Sequence, residues 1–120
     1  MDVLQEKPQA QPRWSREEQV LLVVEYFSSK NDVLQIARSD KFLSEFLRKR
    51  ANVLGLKISE KFRNEWGIHS QRENLSHFDK CDDKYLTGHE SAWMRNIVDE
   101  YNKNPTGMIS EAYEILKKYM

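Results

Sequence analysis

One cysteine, four glycines and three prolines are all that this 120-residue chain has of the residues that staple or punctuate a backbone. A single Cys excludes an internal disulfide framework and a multi-cysteine zinc site. So little Gly and Pro disfavours a turn-rich β-sandwich or barrel. Net charge is also missing: 19 Lys and Arg balance 19 Asp and Glu, which excludes a protein that coats nucleic acid by bulk basicity but leaves room for a local basic patch. No apolar run approaches the roughly 20 residues needed to span a bilayer. The opening MDVLQEKPQAQPR has no basic start followed by an apolar stretch, so the expectation is a cytoplasmic protein without membrane contact.

What is present reads as helix. Residues 1–12 are rich in Gln, Pro and charge and are expected to form a flexible tail, with a single all-α domain over 13–120. Ser15 and Glu18 make an S-x-x-E capping box after Trp14, and the run that follows sets Val20, Leu21, Val23, Val24 and Phe27 on one broad face, predicting a helix over about 15–28. DVLQIAR is expected to be a short turn capped by Asp32. A second long helix, over about 40–54, carries Phe42, Leu43, Phe46, Leu47 and Leu54 and stops at Gly55. A third, over about 66–78, points Ile68, Leu75 and Phe78 inward, with Gln71 or Arg72 between them. It turns His69, Ser70, Glu73, Ser76 and His77 outward. After the acidic segment DKCDDKYLTG, Thr87 and Glu90 form a second capping box. They open a helix over about 88–102 that buries Trp93, Met94, Ile97, Val98 and Tyr101. The last helix, about 107–119, shows Ile109, Ala112, Tyr113 and Leu116 in i, i+3, i+4, i+7 order. The expected fold is therefore one compact all-α domain of about five helices with a helix-turn-helix-like core.

The charge balance hides segregation. Residues 38–72 hold nine basic and four acidic groups, a net of +5, against −2 before and −3 after. The nine are Arg38, Lys41, Arg48, Lys49, Arg50, Lys57, Lys61, Arg63 and Arg72. They straddle the connection between two helices, which is where a helix-turn-helix meets the DNA backbone while its following helix enters the groove. Clustered cations there would release counterions and give salt-sensitive affinity.

Known catalytic patterns do not fit. His69 and His77 are eight residues apart on one helix, about 80° and about 12 Å, too far for one metal ion. Cys81 sits among Asp79, Asp82 and Asp83, whose charges suppress its thiolate. Phosphate-cradling glycine motifs are missing, and the adjacent acid pairs Glu17–Glu18 and Asp99–Glu100 diverge by about 100° on a helix. No catalytic residue, metal or cofactor is assigned, and the chain is expected not to be an enzyme.

Two stretches resemble a bacterial family. RWSREEQVLLVVEYF at 13–27 is similar to the opening signature, carried by Trp14, Glu18 and Tyr26, of the small helical N-terminal, non-nuclease domain of HNH-type endonucleases and restriction-related proteins. FRNEWGIHSQRENLSHFD at 62–79 is similar to that domain's second signature, through Phe62, Arg63, Asn64, Gly67, Ile68, Asn74, Leu75, Phe78 and Asp79. The chain departs from the pattern at Glu65–Trp66, where an Asn-Pro-like turn is common, and at Gln71–Arg72. The resemblance spans about residues 13–102, and the layout is also distantly similar to Myb/SANT-like modules. It implies a recognition or targeting module, associated with restriction or phage defence, without the cutting part.

The expected partner is duplex DNA, with Arg48, Lys49, Arg50, Lys57, Lys61 and Arg63 on phosphates and His69, Ser70 and Glu73 of the third helix toward the groove. Arg63 is read as a backbone clamp on a buried Phe62. Asn74 either reads a base edge or satisfies local backbone groups. Asp79 is a helix-end or loop residue, and Trp14, Trp66 and Trp93 are expected to be core anchors. The alternative is a protein-interaction module that partners a nuclease or self-associates through the last helix, where Met108, Tyr113, Tyr119 and Met120 offer adaptable apolar surface.

Overall fold

A computed structural model of the chain describes residues 12–79 and 89–120. The expected tail up to residue 11, the Cys81 segment, Thr87 and the side chains of His89 and Glu90 lie outside the described residues.

The first helix, α1 (Arg16–Ser29), starts at the anticipated box: the Ser15 backbone N–H donates to Glu18 Oε1 at 3.0 Å, and the Ser15 hydroxyl oxygen accepts from the Glu18 N–H. Its four consecutive residues Val20, Leu21, Leu22 and Val23 are each at most 1% exposed, so α1 is buried all round and not on one face. Burial on every side offsets the weak helix propensity of its valines.

α2 (Val33–Val53) is capped by Asp32, whose carboxylate accepts from the N–H groups of Leu34 and Gln35. The predicted short turn and second helix are thus one element of 21 residues. No Gly or Pro interrupts 33–53, and Ser39 and Asp40 sit inside the helix with their side chains hydrogen-bonded across to other helices. The Gly55 N–H bonds Asn52 O, the Leu56 N–H bonds Ala51 O, and Gly55 adopts φ +75°, a Schellman stop that requires glycine there.

Residues 54–64 lead to α3 (Glu65–Asp79), where the Asn64 carboxamide oxygen accepts from the Gly67 N–H at 2.7 Å. α4 (His89–Lys103) and α5 (Pro105–Tyr119) are separated by Asn104 alone, which caps α5 by accepting from Gly107 N–H, with Pro105 opening the helix.

In chain order, α2, α3, α4 and α5 each touch the next, α5 returns to α2, and α1 touches all four. The molecule is an all-α ring of four helices around a fifth. Its core joins Leu43, Leu47, Ile68, Leu75, Met94, Ile97 and Ile115 to the α1 residues. On α3 it is Arg72, 3% exposed, that turns inward with Ile68, Leu75 and Phe78. On α5 the inner face is Met108, Ala112, Ile115 and Tyr119; Ile109 (48% exposed) and Tyr113 (62%) lie outside it. The anticipated apolar face of α5 is rotated because Tyr119 reaches inward to Phe46 and Glu17. Phe42 and Leu54, expected in the core, are also exposed.

Glu17 ties three helices together. Its carboxylate accepts from Arg50 Nε at 2.8 Å, Lys118 Nζ at 3.0 Å and the Tyr119 hydroxyl at 2.6 Å. Burial alone would push this carboxyl up, but the bonds from Tyr119, Lys118 and Arg50 outweigh it and hold the group below the usual glutamate range. A carboxylate with a depressed folded-state pKa contributes stability that is present above its unfolded value, about 4.3, and is lost as pH falls through the lower folded one. Melting temperature followed from pH 7 to 2.5 is expected to fall on that acid limb, and Glu17→Gln to make the limb shallower while lowering stability at pH 7.

Candidate nucleic-acid interface

The basic segment divides into cations the fold consumes and cations it leaves in solvent. Arg48 turns back from α2 and its Nη1 donates to the carbonyls of Ser59 (3.2 Å), Glu60 (3.3 Å) and Phe62, pinning the 59–62 segment. Arg50 pairs with Glu17 and lies over the Tyr119 ring, 5.4 Å from its centroid. Arg63 is 4% exposed: its Nε donates to Glu18 Oε2 at 2.8 Å, and its Nη2 donates to the carbonyls of Pro12 (2.9 Å) and Arg13 (3.3 Å). Its guanidinium is sandwiched between the rings of Trp14 and Phe62, 4.5 Å from each centroid. Phe62 is buried as expected, but what it anchors is an internal clasp on α1. Arg48, Arg50 and Arg63 therefore each hold other parts of the fold in place, and of the three Arg63 is buried.

Lys49, Lys57 and Lys61 are exposed. Sequence reasoning left Arg38 and Lys41 out of the candidate site, and both are exposed. Once α2 is one helix, Arg38, Lys41, Glu45 and Lys49 fall at i, i+3, i+7 and i+11 on its outward side, all in solvent. Arg38 and Lys49 are about 16 Å apart along the axis. The continuity of helical sequence through 33–53, free of Gly and Pro, was the signal that could have found them.

The three groove candidates differ among themselves. His69 is half-buried: its Nδ1 lies 2.8 Å from Asp40 Oδ2 and its Nε2 lies 3.4 Å from Glu73 Oε1. Ser70 is half-buried, and Glu73 is exposed and carries the wrong sign for a phosphate. Asp40 also accepts from Arg72 Nε at 2.8 Å, while Arg72 donates its terminal nitrogens to the hydroxyls of Ser29 and Ser39. This polar network clamps α3 to α1 and α2. Asn74 is half-buried.

The tryptophans separate. Trp14 and Trp93 stack on each other (centroids 5.8 Å, 18°) and pack against the core, as expected. Trp66 does not: it is 75% exposed and stacks with the His69 ring at 6.5 Å. At the start of α3 its side falls on the flank away from Ile68 and Leu75, so no core position is open to it.

Asp79 ends α3 and accepts from the Tyr26 hydroxyl at 2.8 Å and Lys30 Nζ at 2.9 Å. Burial and then the Asp79 carboxylate push the Tyr26 phenol well up. A cleft of about 520 Å³ lies here, lined by Tyr26, Lys30, Arg72, Glu73, Ser76 and Asp79. Tyr26 and Lys30 are bound to Asp79, and Arg72 to Asp40, Ser29 and Ser39. No three His, Cys, Asp or Glu among the described residues are placed to hold a metal ion, and no described helix is long and apolar enough to cross a membrane.

No protein-family model matches the chain, and no match was found among curated proteins or solved structures. The likeness to the HNH-associated domain thus rests on its two motifs.

Proposed function

We propose that this chain is a non-catalytic DNA-binding module that engages the phosphate backbone through the outward side of α2 and the following connection. The observation that carries the reading is that Arg38, Lys41 and Lys49 on one side of α2, with Lys57 beyond it, are exposed and that their side chains make no hydrogen bond or ion pair with other described residues. A surface of this kind gives sequence-independent, salt-dependent affinity. The resemblance of its two motifs to the HNH-associated domain supports the same reading, since what that resemblance implies is a targeting module.

The charge-reversal triple Lys41→Glu, Lys49→Glu, Lys57→Glu is expected to fold normally and to lose duplex binding, read as fluorescence anisotropy of a labelled duplex titrated at 50 mM salt. Each single neutralisation is expected to reduce the slope of log K against log salt by about 1. Wild-type protein that leaves the duplex free even at low salt would end the reading. Reversing Arg50 or Arg63 is not an equivalent test, because both hold the fold together.

A second reading has its own observation. Ile109 and Tyr113 are 48% and 62% exposed at i and i+4 on one side of α5, and Met120, just past its end, is 84% exposed. Exposed apolar stripes mark protein contacts. A salt-insensitive dimer by light scattering, lost on Tyr113→Glu, is the result that favours it.

A further inference from the structure

We propose that Trp66 is a stacking platform for an unpaired nucleobase, so that the ligand of the α2–α3 face has single-stranded character and its base is read by the indole while α2 holds its phosphates. This rests on the nucleic-acid reading above and deepens it.

Two sets of contacts fix where Trp66 sits. Asp40 of α2 meets His69 and Arg72 of α3, and Arg48 of α2 meets the carbonyls of residues 59–62. The two segments therefore run antiparallel, and in the chain Trp66 falls between those points, on the segment next to α2. Its indole is backed by the His69 ring, and that ring is held by the Asp40 carboxylate through Nδ1. One face of the indole is thus backed by the His69 ring, and three-quarters of the residue remains open. An exposed aromatic backed by a second ring, on the helix next to one that carries a row of exposed cations, suits a single strand, because every base offers a π-face and Lys and Arg can follow the backbone. An intact duplex keeps its bases stacked inside and offers the indole nothing comparable.

Charge on this face selects the path of the strand. Arg38, Lys41 and Lys49 line α2, with Glu45 among them, whereas Glu65 and Glu73 are exposed on α3 beside Trp66. Phosphates are accommodated on the α2 side and repelled on the α3 side, which leaves the base to cross toward the indole. The exposed cations of the neighbouring α2 favour a polyanion with flat apolar groups over an apolar protein partner.

The test is an anisotropy titration of the whole chain with a mixed-sequence 15-nucleotide single strand and, separately, with the same strand annealed to its complement. Trp66→Ala is expected to weaken single-strand binding by about five- to a hundredfold, following the range known for base–aromatic stacking. It is expected to leave duplex binding within about twofold, since it removes no charge. Trp66→Phe should retain most of the single-strand affinity, and Lys41→Glu should weaken both ligands. At 75% exposure the indole can be removed without emptying the core, and an unchanged melting temperature confirms that for the variant. If Trp66→Ala alters neither ligand, or both equally, the stacking role is overturned while backbone binding stands. If the wild-type chain leaves the duplex free even at low salt, the duplex reading above fails; if it leaves the single strand free, the stacking role is overturned whatever the duplex does. Salt-insensitive self-association abolished by Trp66→Ala would also overturn it, assigning the indole to a protein contact.

Discussion

Replacing Arg63 by methionine is expected to lower the unfolding free energy by about 3–5 kcal/mol, the cost of breaking a buried ion pair from one side. Arg63 and Glu18 bury almost all of their side chains, and the pair is doubly bonded, at 2.8 and 3.2 Å. Methionine would keep the packing between Trp14 and Phe62 but would leave the Glu18 carboxylate in the interior with only the Ser15 groups of the capping box. The carbonyls of Pro12 and Arg13 would lose their donor as well. Arg63 also sits at φ +47°, a left-handed conformation that costs a non-glycine residue about 1–2 kcal/mol, so the clasp holds a strained backbone in place. Lysine is not expected to rescue, because a single ammonium cannot span the carboxylate and two carbonyls in one plane. Urea denaturation monitored by circular dichroism measures the effect. The double variant Arg63→Met, Glu18→Gln should lose less than the sum of the two single changes, since neither partner is then left charged and alone. A loss under about 1 kcal/mol for Arg63→Met would show that the pair is open in solution.

The same residue explains what the sequence could and could not tell. The signature FRN and the capping box around Ser15 are 44 or more residues apart, and each was read locally: the box as a helix start, the arginine as a contact for phosphate. Helix starts depend on neighbouring residues, so Ser15, Asp32 and Gly55 were legible and the five-helix fold with them. Partnership between distant charges depends on tertiary geometry. No spacing rule connects Arg63 to Glu18, Arg72 to Asp40 or Arg50 to Glu17, and a run of arginines looks alike whether it faces solvent or the interior. The lysines were the more reliable witnesses. Lys49, Lys57 and Lys61 remain outside, in keeping with a compact, strongly hydrated ammonium, whereas Arg48, Arg63 and Arg72, which fork to several acceptors at once, and Arg50, which pairs with Glu17, were drawn in. Trp66 misled for a related reason. Its type favours burial, but the helix phase set by Ile68, Leu75 and Phe78 places it on the opposite flank, and phase outweighs type.

Arg72→Leu is the second large loss expected, again about 3–5 kcal/mol, and it would act at the opposite end of α1 from Arg63. The guanidinium is 3% exposed and serves three acceptors on two helices: the Asp40 carboxylate and the Ser39 hydroxyl of α2, and the Ser29 hydroxyl that ends α1. Leucine in its place would satisfy none of them. Asp40, 6% exposed, would keep only the His69 contact, and both hydroxyls would lose their donor. Because the network is what fastens α3 to α1 and α2 on this side, hydrogen exchange in the variant is expected to rise across residues 65–79 before it rises in α5. Replacing the pair together, Arg72→Leu with Asp40→Leu, should recover part of the loss, since two apolar side chains leave no charge to desolvate. The order of these effects separates two roles for the middle segment's cations. If Arg72→Leu and Arg63→Met each unfold the chain while Lys41→Glu and Lys49→Glu leave its melting temperature unchanged, the arginines are the framework and the lysines are the surface available to a ligand. A destabilised lysine variant would instead place α2's outward side within the fold, and the proposed interface would have to move.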